Sequence, residues 1–455
     1  MRNLGKKSLG YYENTLAFPG PAEPVEIACG GQAVAAFLEP GVEDFAVGWR
    51  SRSRPAAPLA YSADMQPVTT TDALAQLCRR LAAHPYIAID TEFLRERTYY
   101  PILCLVQVAS HDEAVAIDPM AEGLSLDPLY ELMADPTVLK VFHAARQDIE
   151  IFVHKTDQVP APLFDTQVAG MVCGFGDSVS YETLVAKLTG QRLDKSSRFS
   201  DWSHRPLTDR QLAYALADVV PLCRIYEVME KKLETTGRRA WLAEEWAVLT
   251  DPATYRPDPE AAWRRLKPKT TKPKTLAILA ELAAWREIEA QRRDVPRQRI
   301  LKDDALMDIA HQGPKSLSEL SRVRLVPQGF AEGKLGADVL AAVERGRHRT
   351  APPLGDDMRN DAPLGRLPLV DLLKVLLKLR CEDFEVAQKL IASSPDIDAL
   401  ASSDDADIPA LRGWRREVFG DAALKLKAGR LALAGRDGRI EVIELPETSP
   451  DVLAS

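Results

Sequence analysis

Apolar positions along the first half of the chain switch between two periods. From Asp72 to about His84, Leu74, Leu77, Cys78 and Leu81 recur at helical spacing, which predicts a helix with Asp72 as its N-cap. Tyr86-Ile87-Ala88-Ile89 then forms a short apolar, β-branched run of the kind found in a covered strand. Three further runs follow, Leu103–Ala109, Ala114–Ile117 and Val138–Phe142. The first two flank the turn-forming Ser110-His111-Asp112-Glu113 and predict a hairpin. Helical patterns occupy Ala144–His154, Thr166–Cys173, Tyr181–Thr189 and Thr208–Leu233. Strands first, then strands alternating with helices, predict an α/β domain over 66–235 on a mixed sheet.

Beyond residue 235 the strand pattern ends. A Pro- and Lys-rich stretch, Arg264–Lys274, closes an expected basic linker over 236–274. Trp263–Lys302 holds twelve Lys and Arg against four acidic residues, a concentrated positive tract. It suits a solvated linker and polar helix face, or a surface for nucleic acid or an acidic partner. Two helical blocks follow, expected as small all-α domains over 275–350 and 364–445 and opening with long amphipathic helices at Leu276–Arg293 and Leu367–Cys381. Residues 446–455 read as a tail. Residues 1–64 are rich in Gly, Pro and Ala, carry the basic run Arg50-Ser51-Arg52-Ser53-Arg54, and show no sustained period. Disorder is the expected state there, with the functional polypeptide starting at or near Met65.

Composition narrows the class. With 455 residues and 46% hydrophobic content, the chain can bury several cores. A net charge of -8 argues against a general polyanion binder, so any nucleic-acid surface is local. The six cysteines form no C-x-x-C pair, as expected of reduced thiols in a cytoplasmic protein. No apolar run reaches membrane-spanning length, and no partner membrane is expected.

The chemistry starts at the end of the first strand. Asp90 and Glu92 are two apart, so in a strand both project from one face beside an apolar platform. Two adjacent anions there are costly unless a cation lies between them, and oxygen ligands suit a divalent metal. A solvated acidic pair at a strand end is the alternative. Asp148 stands in a helix whose Ile149, Phe152 and Val153 pack inward, beside the packed face, with an ordinary exposed helix acid as the alternative. Tyr214 and Asp218 are four apart and share one face of an Ala- and Leu-rich helix, where an acid needs a partner.

Asp-x-Glu on a strand, an Asp on a following helix and Tyr-x-x-x-Asp on a later one resemble the exonuclease motifs of the DEDD superfamily, in its Tyr-containing subclass. Asp90-Thr91-Glu92-Phe93-Leu94-Arg95-Glu96-Arg97-Thr98-Tyr99-Tyr100-Pro101, Leu105-Val106-Gln107-Val108 and Phe142-His143-Ala144 are similar to ribonuclease D. So are Leu193-Asp194-Lys195-Ser196, Ser200-Asp201-Trp202 and Arg205-Pro206-Leu207. The two C-terminal blocks resemble the helicase-and-RNase-D C-terminal (HRDC) domain, present twice. Trp285-Arg286-Glu287, Asp294-Val295-Pro296-Arg297 and Ile300-Leu301-Lys302-Asp303-Asp304 carry the likeness in the first block, and the second is more diverged. The resemblance spans residues 66–445 and leaves the N-terminal extension unexplained.

The resemblance implies a ribonuclease-H-like fold with a five-stranded mixed sheet flanked by helices, and 3′→5′ hydrolysis of RNA. It implies trimming of extra 3′ nucleotides from precursor tRNA, with release of nucleoside 5′-monophosphates. Two Mg²⁺ or Mn²⁺ ions about 3.5–4 Å apart would activate water and neutralise the leaving oxygen. By analogy Asp90, Glu92 and Asp218 would contact the first ion, with Asp90 shared, and Asp148 would act largely through water on the second. Tyr214, with an ordinary pKa near ~10, is assigned to orienting the attacking water.

Weaker expectations attach to other residues. Asp165 reads as a helix N-cap, and His143 as a packed or hydrogen-bonded histidine with a secondary claim on substrate. Phe93 and Tyr99 are candidates to stack on the 3′-terminal nucleotide as exposed aromatics. Lys195, Arg198 and Arg205, in a polar loop, are candidates for phosphate contacts. The partner expected is RNA with a free 3′ end, and nothing in the sequence demands a second subunit, so a monomer is expected. A single-stranded-DNA exonuclease and a catalytically silent RNA-binding protein are the competing readings. The intact set of Asp90, Glu92, Asp148, Tyr214 and Asp218 argues against silence.

Overall fold

The longest strand forms around the Tyr86-Ile87-Ala88-Ile89 run. The computed structural model describes residues 66–194, 197, 200–268, 270–327, 329–353 and 367–446. Residues 1–64, Met65, Lys195 and Arg198 lie outside the described residues. Strand β1 (Tyr86–Leu94) pairs antiparallel with β2 (Ile102–Ala109), which pairs antiparallel with β3 (Ala114–Ile117). On its other side β1 runs parallel to β4 (Leu139–Phe142), and β4 parallel to β5 (Leu163–Asp165). The order β3-β2-β1-β4-β5 is the expected mixed five-stranded sheet.

Side-chain alternation in β1 assigns its two faces. Ile87 and Ile89 join one core with helices α1 (Thr71–Leu81), α2 (Asp127–Ala134) and α3 (Arg146–Thr156). Leu74, Leu77 and Leu81 of α1 are fully buried there, each contributing about 2 kcal/mol of hydrophobic transfer. The cap of α1 is Thr70, whose hydroxyl accepts from the Ala73 amide at 3.4 Å; Asp72 lies in the first turn, where its charge suits the helix N-terminus. Ala88 faces the second core, built with α4 (Thr166–Val172), α5 (Tyr181–Thr189) and α6 (Asp209–Thr236). Helix α6 starts in a capping box between Thr208 and Gln211. Pro221 inside it has no N–H to offer the Ala217 carbonyl one turn back, next to Asp218.

Much of the expected linker is folded. It contains α7 (Ala243–Thr250) and 3-10 turns at Arg238–Leu242, Pro252–Tyr255 and Pro259–Leu266, which bury Leu242, Tyr255 and Trp263. Prolines at the first positions of the last two turns look like breakers in sequence but start helical turns here. The first helical block comprises α8 (Pro273–Arg293), α9 (Arg297–Ile300), α10 (Asp303–Gln312), α11 (Leu317–Leu320) and α12 (Lys334–His348). Gly346 lets α12 approach α8, since a Cβ there would meet Ile278 Cα at 2.5 Å.

The second block contains α13 (Leu367–Asp383), α14 (Gln388–Ile391), α15 (Ser394–Ser402) and α16 (Asp421–Lys427). It is not all-helical. Strands β6 (Leu431–Arg436) and β7 (Arg439–Glu444) form an antiparallel hairpin. Asp437 and Gly438 both have positive φ, 50° and 75°, as a two-residue turn that follows the strand twist requires.

Both blocks pack on the exonuclease domain. Asp294 Oδ1 accepts from the Tyr99 and Tyr100 amides, each at 3.0 Å. The Tyr99 hydroxyl donates to Glu287 and accepts from Arg297 at 2.8 Å and Gln291 at 3.1 Å. In the second block, Trp414 stacks on Trp241 with ring centroids 4.3 Å apart, and the Ala387 amide donates to the Met171 carbonyl at 2.8 Å.

Candidate active site

The acidic residues meet where β1 runs out of its apolar core. Asp90 and Glu92 share the α6 face of the sheet with Ala88, and Asp218 comes down from α6. Asp90, Glu92 and Asp218 each offer a carboxylate oxygen, all within 4.8 Å of one another. A β-bulge between Glu92 and Phe93 shifts the register just past the second carboxylate. Thr91, between the two acids, points to the opposite face. Its hydroxyl donates to Asp148 Oδ1, tethering α3 to β1. Asp148 is 6% exposed and lies outside the three-carboxylate group, yet near enough for its charge to act on Glu92 and for that of Asp90 to act on it. Tyr214 lies one turn before Asp218, its ring 6.0 Å from that of Trp202.

Electrostatics mark this cluster as incomplete by itself. Burial pushes the Asp90 carboxyl up to about 7. Burial, then repulsion by Asp90, Asp218 and Asp148, pushes Glu92 up to about 9. Asp148 is raised well above its ordinary value by burial and by Asp90. Every charged neighbour acting on Glu92 is another carboxylate, so its ionised form needs a cation from outside the chain. Three convergent carboxylates of this kind fit a divalent ion with oxygen ligands.

The weaker candidates divide. Phe93 is half-buried at the end of β1, against the α3-side core. His143 is hydrogen-bonded, its Nδ1 2.9 Å from Thr166 Oγ1, and its ring lies 5.3 Å from Tyr181. Asp165 caps α4 as expected, and its carboxylate also accepts from the Ala144 and Ala145 amides at 3.0 and 2.8 Å. Tyr99 is a correction. It is 5% exposed and sealed by Glu287, Gln291 and Arg297, so it has no free face for a base. Arg205 is a second correction. Its guanidinium grips Asp118 with two bonds of 2.7 Å and donates to the Trp202, His204 and Cys104 carbonyls, leaving no donor for phosphate.

Two residues at the cluster carried no site expectation in the sequence. Thr91 is one. Tyr181 is the other: its hydroxyl has no hydrogen-bond partner, and its pKa is driven up by burial and then by Asp218 and Asp90. Only its place at a helix start was legible. The basic tract is also less free than its count suggests. Arg265 and Arg297 pair with Glu287, Arg286 with Asp303, and Arg292 and Arg293 with Glu289. Arg264, Lys267, Lys272, Lys274, Arg299 and Lys302 remain exposed.

The chain is similar to known proteins. Residues 65–234 match a 3′-5′ exonuclease family. A ribonuclease D of Nitrobacter hamburgensis is 51% identical over 380 residues, covering 84% of this chain and all of the relative. The chain belongs to the ribonuclease D family. Another ribonuclease D, from Acidiphilium cryptum, is 53% identical over 382 residues, covering 83% of this chain and 97% of the relative. The crystal structure of Escherichia coli RNase D, described as an exoribonuclease involved in structured RNA processing, superposes with a TM-score of 0.69 at 31% identity. That match covers 80% of this chain and 99% of the other. Within the ribonuclease D family, this chain is a 3′→5′ exoribonuclease. An HRDC domain matches residues 275–343, in the first helical block. Among the described residues, no helix is long and apolar enough to cross a membrane.

Proposed function

We propose that this ribonuclease D family member trims extra 3′ nucleotides from precursor tRNA, releasing nucleoside 5′-monophosphates. The observation that carries the chemistry is the meeting of Asp90, Glu92 and Asp218 within 4.8 Å on a 3′-5′ exonuclease domain. Asp90, Glu92 and Asp218 would hold one divalent cation, and Asp148, fixed by Thr91, would serve a second. When bound, Mg²⁺ or Mn²⁺ ions supply a water that is nucleophilic at neutral pH and stabilise charge on the departing 3′ oxygen. Tyr214, one turn from Asp218, orients the attacking water by hydrogen bonding and is the residue of the Tyr-containing subclass. The bond broken is the one between the last phosphorus and the preceding 3′ oxygen, which leaves as the new 3′ hydroxyl. Phe93 remains a candidate to line the terminal nucleotide, and His143 serves by packing with Thr166.

The helical blocks present the RNA. The first docks through Tyr99 beside a cavity of about 330 Å³ whose lining includes Arg95, Arg265, Arg286 and Arg297. The second is a diverged HRDC-like domain carrying a β-hairpin. The protein acts as a cytoplasmic monomer in this reading.

The test uses a 5′-labelled tRNA with a few extra 3′ residues, incubated with Mg²⁺, Mn²⁺ or EDTA beside an Asp148→Asn variant. Stepwise shortening that stops near the mature end, and vanishes with EDTA and in the variant, is expected. Binding without shortening under every metal condition would instead identify a silent RNA-binding protein.

A further inference from the structure

One side chain next to the acid cluster has no role in the chemistry above. Gln107 lies in β2 directly opposite Asp90 of β1 and opposite Ala116 of β3. Residues facing each other across an antiparallel pair project from the same side of the sheet. The Gln107 amide is therefore on the α6 side, beside the Asp90 carboxylate. It is 0% exposed, and neither Nε2 nor Oε1 has a hydrogen-bond partner. The same-face residues of β2 on either side of it are apolar. Leu105 packs with Leu212, Ala215 and Leu216 of α6, and Ala109 joins the core containing Val219 and Cys223.

A buried amide without partners costs on the order of 1–3 kcal/mol, and a leucine of similar size would fill the same space without that cost. A local rule broken this way beside functional carboxylates marks a group whose partner belongs to the working state of the site. The group directly across the ladder that can use the amide is Asp90. A carboxylate that gives one oxygen to a cation still has lone pairs to satisfy, and Nε2 is a donor in a place shielded from solvent.

We propose that Gln107 is a positioning residue for Asp90. Its amide orients the Asp90 carboxylate toward the position it shares with Glu92 and Asp218 when a divalent cation binds. The inference rests on the exonuclease reading of that cluster, and it assigns Gln107 no contact with RNA.

The experiment compares wild type with Gln107→Leu and Gln107→Met. It measures the melting temperature in EDTA, Mn²⁺ affinity by titration calorimetry, and kcat and KM on a short single-stranded RNA. Removing an unsatisfied amide leaves the melting temperature in EDTA unchanged or raised. Mn²⁺ affinity falls at least threefold, and kcat falls about tenfold with KM within twofold of wild type. Mn²⁺ affinity and kcat within twofold of wild type in both variants would overturn the proposal. So would a lowered melting temperature in both, because the amide would then be supporting the fold. Failure of the exonuclease reading is distinguishable, because wild type would then not shorten RNA under any metal condition, while the Mn²⁺ comparison would still report on Gln107.

Discussion

Glu92 and Glu287 are both carboxylates packed into the fold, one partly and one fully buried, and the fold treats them in opposite ways. Glu287, 1% exposed, lies in the seam between the exonuclease domain and the first helical block. Burial works against its charge, yet hydrogen bonds from Arg297 and Tyr99 hold it below the ordinary carboxylate range. Glu92 also suffers burial, but its charged neighbours are Asp90, Asp218 and Asp148, and it rises to about 9. A seam carboxylate is neutralised from within the chain and serves architecture. The cluster carboxylate is left for something from outside, and that is the mark of the site.

The comparison breaks most sharply at Asp148. Asp148→Asn keeps the shape and the Thr91 contact but removes a charge, and kcat on single-stranded RNA should fall roughly 1,000-fold, equivalent to about 4 kcal/mol. Circular dichroism and melting should stay near wild type; a variant within tenfold of wild type would remove Asp148 from the site.

The next effect is on stability against pH. Asp90 and Glu92 hold protons in the folded state up to about 7 and about 9, well above their unfolded values of 3.8 and 4.5. Between those limits the folded state binds more protons than the unfolded chain, so stability falls as pH rises. Melting in EDTA should therefore drop from about pH 5 to pH 9, and saturating Mg²⁺ should flatten the slope.

The seam gives the contrasting result. Glu287→Gln leaves Arg297 and Arg265 facing a neutral amide and should cost about 2 kcal/mol, allowing for the partial exposure of both arginines. Thermal melting reads this loss, while turnover of a dinucleotide should remain within twofold. The smallest effect expected is from Thr91→Val, which fits the strand but removes the hydroxyl held by Asp148. It should lower kcat about tenfold, near 1.4 kcal/mol, with KM and melting little changed.

What the sequence shows follows the range of the interactions involved. Asp90 and Glu92 are readable because a strand repeats every two residues, and Tyr214 with Asp218 because a helix repeats near four. The hairpin at Leu431–Glu444 was also readable: Asp437-Gly438 between alternating apolar positions is a strong turn signal, which the all-helical expectation for this block passes over. Tyr99 was not, since Glu287 and Arg297 lie 188 and 198 residues away and nothing local announces them. Arg205 depends likewise on Asp118, 87 residues back. Gln107 sits in a recognisable motif, but its lack of partners exists only once the sheet and α6 enclose it.

At the carboxylate cluster, Asp90 and Glu92 keep protons until a cation replaces them. Calorimetric titration with Mn²⁺ at pH 7, repeated in buffers of different ionisation enthalpy, counts the protons released on binding. With Asp90 near 7 and Glu92 near 9, the account predicts release of about one proton or more per chain, falling toward zero above pH 9. Binding at pH 7 with no proton release would mean the carboxylates are already ionised without a cation, contradicting the account.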